Sequence, residues 1–305
     1  MAFLKNVKRL NCIDLLVSGY IVVTFFYILI FFQKVPGAGY HILFRLFLLA
    51  LILALPLMDK YINKPLPHFL RIAYPLIILS FFYSETDALN NVFFQNLDYH
   101  FARMDSVLFG FQPSLAFYNK FPGKFFSEVM NFGYFSYYFL IAAYTIIIYV
   151  KNRKEFIKTV FLITCSFLIF YLVFSVLPVS GPQYFFEPPH NQIADSGIFR
   201  KLVRFVEFIG ERPTAAFPSS HVGIVLILIM MAGRDHLSSW WWLIPVFILL
   251  SFSTVYIKAH YAVDVIGGII SAPIVLACSK YIYTILKRYE LTLKTRTDYA
   301  EGCDC

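Results

Sequence analysis

The chain has 305 residues, 59% of them hydrophobic and 14% charged, with a mean hydropathy of +0.67 and a formal net charge of +8. A soluble domain of this size cannot hide so much apolar surface behind a polar exterior, so the composition excludes an ordinary soluble fold and makes lipid the solvent. The basic residues are scattered in short groups between apolar runs, which is the distribution of cytoplasmic loops and excludes nucleic acid as a partner.

Taken in chain order, the apolar runs predict transmembrane helices near Leu15–Phe32, Ile42–Met58, Phe69–Tyr83, Met130–Val150, Ile157–Leu177, Ser219–Gly233, Trp240–Ile257 and Ala262–Leu286. A span needs roughly 20 apolar residues, so the third and sixth runs are short for the rule. The first is long enough to span and lacks a cleavage site, so no removable signal peptide is expected. Aromatic residues gather at several ends, as Tyr134, Phe135, Tyr137 and Tyr138 and again as Trp240, Trp241 and Trp242, in the manner of interfacial belts.

Orientation follows from Lys and Arg. Lys5, Lys8 and Arg9, then Lys60, Lys64 and Arg71, then Lys151, Arg153, Lys154 and Lys158, then Arg234, and finally Lys287, Arg288, Lys294 and Arg296 all fall on one side. That side is cytoplasmic by the positive-inside rule, with both termini on it. The expected fold is therefore all-α and integral to the membrane, with about eight transmembrane helices. Residues 1–68 form an N-terminal helix pair, residues 69–290 a six-helix catalytic domain, and residues 291–305 a cytoplasmic tail ending in Cys303 and Cys305. Cys12, Cys165 and Cys278 lie in or beside apolar runs and read as inert small hydrophobes.

Two long segments, 84–124 and 178–218, lie on the extracytoplasmic side. The first mixes aromatics with Asp98, His100, Arg103 and Asp105, and is expected to be in part an amphipathic helix at the membrane surface. The second holds Gly181-Pro182-Gln183, Pro188-Pro189-His190 and a basic helical stretch with Arg200, Lys201 and Arg204.

Three short features fall at outer helix ends. His260 and Asp264 are four apart and share a helix face, so the carboxylate can accept one imidazole N–H and leave the other nitrogen as a nucleophile. Pro218-Ser219-Ser220-His221 places two hydroxyls, with exposed N–H groups, at a helix N-terminus that suits a phosphate, and a histidine one position on to move a proton. Arg212-Pro213 offers a planar fork for phosphate oxygens. Taken singly, each feature has a plain structural reading: a mutually satisfied pair, a helix cap, a lipid-headgroup contact.

Together the three resemble the phosphatidic acid phosphatase type 2 superfamily, whose Arg-Pro, Pro-Ser-x-His and His-x-x-x-Asp signatures occur in this order. The resemblance implies that His260 forms a phosphohistidine, that Asp264 orients it, and that His221 protonates the leaving alcohol and then activates the acceptor. It further implies that Arg212, Ser219 and Ser220 grip the phosphate, with no metal and no cofactor. Two positions depart from the pattern. Phe205 stands where the superfamily has a Lys, with Lys201 and Arg204 as the nearest substitutes. Ser253-Thr254 stands where it has Ser-Arg, with Lys258 as the candidate replacement.

These departures resemble the branch that holds inositol phosphorylceramide synthase and sphingomyelin synthase, as does, more weakly, the stretch from Leu97-Asp98 to Gly110. The expected function is thus transfer of a phospho-alcohol headgroup between membrane lipids, with lipid phosphate hydrolysis as the alternative. A multi-spanning transporter is the distant third reading, since transporter sites sit near the bilayer midplane rather than at helix ends. The sequence does not set the oligomeric state.

Overall fold

Every element of regular structure among the described residues is helical. The computed structural model describes residues 10–58, 64–188, 190, 193, 197–210, 212–234 and 240–301. Lys5, Lys8, Arg9, Lys60, Pro189, Cys303 and Cys305 lie outside these residues, as do the side chains of Arg234, Lys294 and Arg296. The helices are α1 (Cys12–Ile30), α2 (Ala38–Met58), α3 (Pro65–Leu89), α4 (Asp98–Phe109), α5 (Pro113–Lys120) and α6 (Lys124–Lys151), followed by α7 (Phe156–Phe174), α8 (Pro182–Phe185), α9 (Ile198–Gly210), α10 (Ser220–Arg234), α11 (Leu243–Tyr256) and α12 (Ala262–Glu301).

Each of the eight apolar runs coincides with a helix. Six of these, α1, α2, α3, α6, α7 and α12, are long and apolar enough to cross a membrane, whereas α10 and α11 are apolar but shorter. The short third run proves to be part of a long helix. Hydropathy stops at Tyr83 because Ser84-Glu85-Thr86-Asp87 follows, yet α3 continues to Leu89 with Glu85 and Thr86 turned into the protein. Helix is the natural outcome for every run, because lipid offers backbone groups no partner and a helix satisfies them internally.

The chain forms two compact units. One is drawn from the described parts of Met1–Leu79, Ile148–Leu168 and Ala277–Cys305, the other from Ser80–Ile147 and Ile169–Leu276. In the first unit Asn11 caps α1, its side chain accepting from Ile13 and Asp14 N–H while Asp14 accepts from the Asn11 N–H. Arg71, counted above among loop cations, is instead buried on α3 and bidentate to Asp14 at 2.9 and 2.7 Å, with the Tyr74 hydroxyl donating to the same carboxylate. A guanidinium in an apolar setting persists only when paired in this way.

The second unit contains all the motif residues, and small residues set its spacing. A Cβ on Gly268 of α12 would stand 2.6 Å from the Ser219 carbonyl oxygen, one on Gly267 would stand 2.5 Å from the Phe217 ring, and one on Gly223 of α10 would stand 2.6 Å from the Phe170 ring. The loop before α10 thus lies directly on α12, a close approach of the kind that small residues allow between membrane helices. The segment 84–124 supplies α4 and α5. On α4 the acids Asp98 and Asp105 face inward beside Phe101 and Ala102, while Tyr99, Met104 and Val107 face out.

Gly268→Ala is expected to lower stability by about 1–3 kcal/mol, because the clash is with backbone and cannot be relieved by a rotamer change. Thermal unfolding of the purified protein in detergent checks this. An unchanged midpoint would mean that the α10–α12 contact is looser than described.

Candidate active site

His260 lies in the turn between α11 and α12, and His221 occupies the first turn of α10. The chain reaches His260 through Lys258, whose φ of 68° is left-handed; Ala215, on the facing loop, has the same value. Such conformations cost of order 1–3 kcal/mol each in non-glycine residues, so surrounding bonds must hold them. Those bonds are present. The His260 N–H donates to the Thr254 carbonyl at 3.1 Å, the Gln183 N–H to the Lys258 carbonyl at 2.9 Å, and the Ala216 N–H to the Val179 carbonyl at 2.9 Å. Gly181, just before α8, packs against this turn with φ 97°, where a Cβ would stand 2.6 Å from the Ala259 carbonyl oxygen.

The two imidazoles meet. His260 Nε2 is 3.3 Å from His221 Nδ1, and His260 Nδ1 is 2.8 Å from the Ala216 carbonyl oxygen. A carbonyl only accepts, so Nδ1 of His260 carries the proton and Nε2 presents its lone pair. The proton between the rings then sits on His221 Nδ1. His221 is held by the rings of Tyr134 and Tyr137, at centroid distances of 4.8 and 4.5 Å. Both tyrosines are buried, so in this cluster they pack the histidine rather than form an interfacial belt.

Asp264 differs in detail from the expectation. Its Oδ2 accepts the Tyr261 N–H at 2.7 Å and lies 3.6 Å from His260 Nδ1, and its Oδ1 has no hydrogen-bond partner among the described residues. The imidazole N–H goes to Ala216 instead, because Asp264 reaches back to cap the first turn of its own helix. The carboxyl group remains within ion-pair distance of the ring.

His221, His260 and Arg212 line a common cleft, partly open to solvent, together with Tyr83, Tyr134, Ser180, Gln183, Tyr184, Thr214, Ala215, Ala216 and Ala259. The other proposed phosphate ligands do not line it. Ser219 is fully buried, and its hydroxyl lies 3.4 Å from the Val222 N–H in a capping position; Ser220 is also buried. Lys258 is buried with its ammonium donating to the His190 carbonyl and lying 5.1 Å from the Tyr118 ring centroid. Burial lowers its pKa to about 8. Lys201 and Arg204 are exposed on α9, and Thr254, at the position of the superfamily Arg, is fully buried with its hydroxyl on the Ser251 carbonyl. Among the described residues Arg212 is thus the one Lys or Arg in the cleft lining, and no cluster of three or more His, Cys, Asp or Glu side chains is placed to hold a metal.

Two residues assigned no role from sequence hold the cleft walls. Asp98 accepts from the Ser180 and Gly181 N–H groups at 2.9 and 2.8 Å, from the Tyr261 hydroxyl at 3.0 Å and from the Asn96 amide at 2.6 Å. Asp105 accepts from the Ala262 and Val263 N–H groups at 3.0 and 2.9 Å, at the start of α12. Burial raises the Asp105 pKa, and these two backbone donors oppose the rise. The seven-residue interval, which puts both acids on one helix face, was the available signal.

Residues 101–278, more than half of the chain, match the PAP2 superfamily, and the chain belongs to it. That membership makes it an integral membrane protein of the lipid phosphatase and phosphotransferase type. No curated protein and no solved structure matches the chain.

Asp105→Ala removes a carboxylate that accepts two buried N–H groups, and is expected to cost about 3 kcal/mol. Activity should fall in parallel, since the turn carrying His260 is anchored there. Unfolding in detergent measures the loss, and a difference below about 0.5 kcal/mol would refute the anchoring role.

Proposed function

We propose that this protein transfers a phospho-alcohol headgroup between membrane lipids, in the manner of inositol phosphorylceramide synthase, through a phosphohistidine on His260. The observation that carries the reading is the fixed tautomer: with Nδ1–H on the Ala216 carbonyl, Nε2 of His260 presents its lone pair toward the cleft, 3.3 Å from the His221 Nδ1 that bears the shared proton. Nε2 attacks phosphorus, the bond from phosphorus to the lipid oxygen breaks, and His221, entering the step as the imidazolium, gives one proton to that oxygen and is left neutral. The acceptor hydroxyl then loses its proton to His221, its oxygen attacks phosphorus, and the phosphorus–nitrogen bond breaks. In the intermediate the ring bears a positive charge, which Asp264 at 3.6 Å stabilises.

The charge of the cleft supports transfer over hydrolysis of a phosphomonoester. A phosphodiester lipid brings one negative charge, whereas a monoester brings about 1.5 to 2 at neutral pH. A single Arg in the lining matches the diester. Thr254 and Lys258 leave the superfamily's second cation without a counterpart in the cleft. The positive-inside pattern supports an extracytoplasmic site, in the periplasm or a lumen, with both termini cytoplasmic.

The mechanism is tested with phosphorus-labelled phosphoinositol and phosphocholine lipids, each with ceramide or diacylglycerol as acceptor, and with labelled phosphatidic acid in parallel. Label should move from a diester donor to the acceptor lipid. A trapped adduct should be labile to acid and stable to base. His260→Ala should abolish adduct and turnover; Asp264→Asn should retain the adduct at a rate lower by at least about tenfold, 1.4 kcal/mol. Full turnover by His260→Ala would end the histidine mechanism, and faster release of inorganic phosphate from phosphatidic acid than any transfer would replace the synthase reading with a phosphatase.

Topology has a separate test. A cysteine placed in 178–218 should react with an impermeant thiol reagent from outside, and one in 151–158 should not. The reverse pattern would move the site to the cytosol.

A further inference from the structure

The helix that leads into Arg212 has two contrasting faces. One is built into the protein: the Glu128 carboxylate of α6 accepts the Phe199 and Arg200 N–H groups at 3.1 Å each, Val203 is fully buried, and Arg200 pairs with Glu207 at 3.4 Å. Gly197, just before it, lies so close to Glu128 that a Cβ would stand 2.0 Å from that carboxyl. The opposite face carries Ile198, Leu202, Phe205 and Ile209, spaced by four, three and four residues so that they fall in one stripe. All four are exposed, Ile198 at 73%, Phe205 at 63% and Ile209 at 60%. Lys201 and Arg204 flank the stripe and are exposed as well.

We propose that α9 lies in the plane of the bilayer surface, with this stripe in the boundary between headgroups and acyl chains and with Lys201 and Arg204 on anionic headgroups. The inference rests on membership in a membrane superfamily but on no step of the catalytic cycle. Its chemistry is that of an interfacial helix: an apolar stripe, basic flanks, and the acid Glu207 paired with Arg200 on the packed face. Charge distinguishes lipid from a second copy of this chain. A two-fold interface through the stripe would set the same patch against itself and bring Lys201 and Arg204 toward their own counterparts, whereas anionic lipid neutralises them. Arg212 follows two residues after α9 ends, so the depth of this helix sets the level at which the cleft's guanidinium meets a lipid phosphate.

The test uses the full-length protein, its five cysteines replaced by serine, in phosphatidylcholine vesicles with and without phosphatidylglycerol. Nitroxides at 205 and 209, introduced as F205C and I209C on exposed positions, report depth through collision with dissolved oxygen against a water-soluble nickel chelate. Both should lie roughly 5–10 Å below the headgroup level, and one at 201 should lie at it. Nickel access at 205 and 209 equal to that of an aqueous loop would overturn the proposal, as would dipolar coupling between 205 labels of two protein copies. In mixed vesicles, spin-labelled phosphatidylglycerol should be enriched near α9 by at least about twofold over spin-labelled phosphatidylcholine. K201Q/R204Q should bring the two to parity, and parity in the unsubstituted helix would remove the anionic preference. None of these readouts needs turnover, so they stand or fall apart from the phosphohistidine mechanism.

Discussion

Two buried carboxylates on α4, Asp98 and Asp105, are the constraint on which the cleft depends. Both are fully buried and both aim at peptide N–H groups: those of Ser180 and Gly181 on one wall, those of Ala262 and Val263 on the other. A buried carboxylate is expensive unless its oxygens are satisfied, and amide donors satisfy it without adding a mobile counter-charge. Because four of these bonds run to backbone N–H groups, they fix the course of the chain through the cleft walls. Residues held at left-handed φ, such as Ala215 and Lys258, can persist only against such a scaffold.

The placement of the Ala216 carbonyl redistributes roles within the triad. A carboxylate that takes the imidazole proton would both fix the tautomer and supply charge. Here the two groups are separated: the carbonyl fixes the tautomer, and the Asp264 carboxyl lies 3.6 Å from the ring while capping α12. Replacing Asp264 by its amide therefore alters the field on the ring more than its protonation pattern. The Ser219 N–H bond to the Asp264 carbonyl, at 3.0 Å, brings the caps of α10 and α12 together, so both histidines are placed by one local arrangement of backbone.

Much of this was legible in the sequence because it is local. Apolar runs located eight helices, since in lipid a helix is almost the sole solution for an apolar segment. The spacing of His260 and Asp264 put both at one helix start, and Arg212, His221 and His260, which the motifs named, line one cleft. What escaped were contacts made across long sequence separations. Nothing near Ala216 announces that its carbonyl will meet His260, 44 residues on. Tyr134 and Tyr137 read as interfacial because aromatic clusters at helix ends usually are; their burial against His221 is a tertiary fact. The direction of Lys258 likewise depends on where His190 and Tyr118 fall, whereas its place two residues before His260 had pointed to a phosphate.

The lengths of α10 and α11 explain why the site can be built of loops. At 1.5 Å per residue, 15 and 14 residues extend about 22 and 21 Å, against roughly 30 Å of hydrocarbon. Arg234 ends α10 and the Trp240–Trp242 turn precedes α11, residue types that favour the interface, so the shortfall lies at the opposite ends, where α10 starts at Ser220 and α11 stops at Tyr256. Irregular backbone at such depth is tolerated only where protein satisfies its polar groups. That condition is met residue by residue: Leu97 N–H on the Pro178 carbonyl, Ala216 on Val179, Gln183 on Lys258, Ser219 on Asp264 and His260 on Thr254. The loops at these helix ends thus carry their hydrogen bonds with them. On the headgroup transfer proposed above, a lipid phosphate would meet His260 in this cleft while its acyl chains stay in the leaflet.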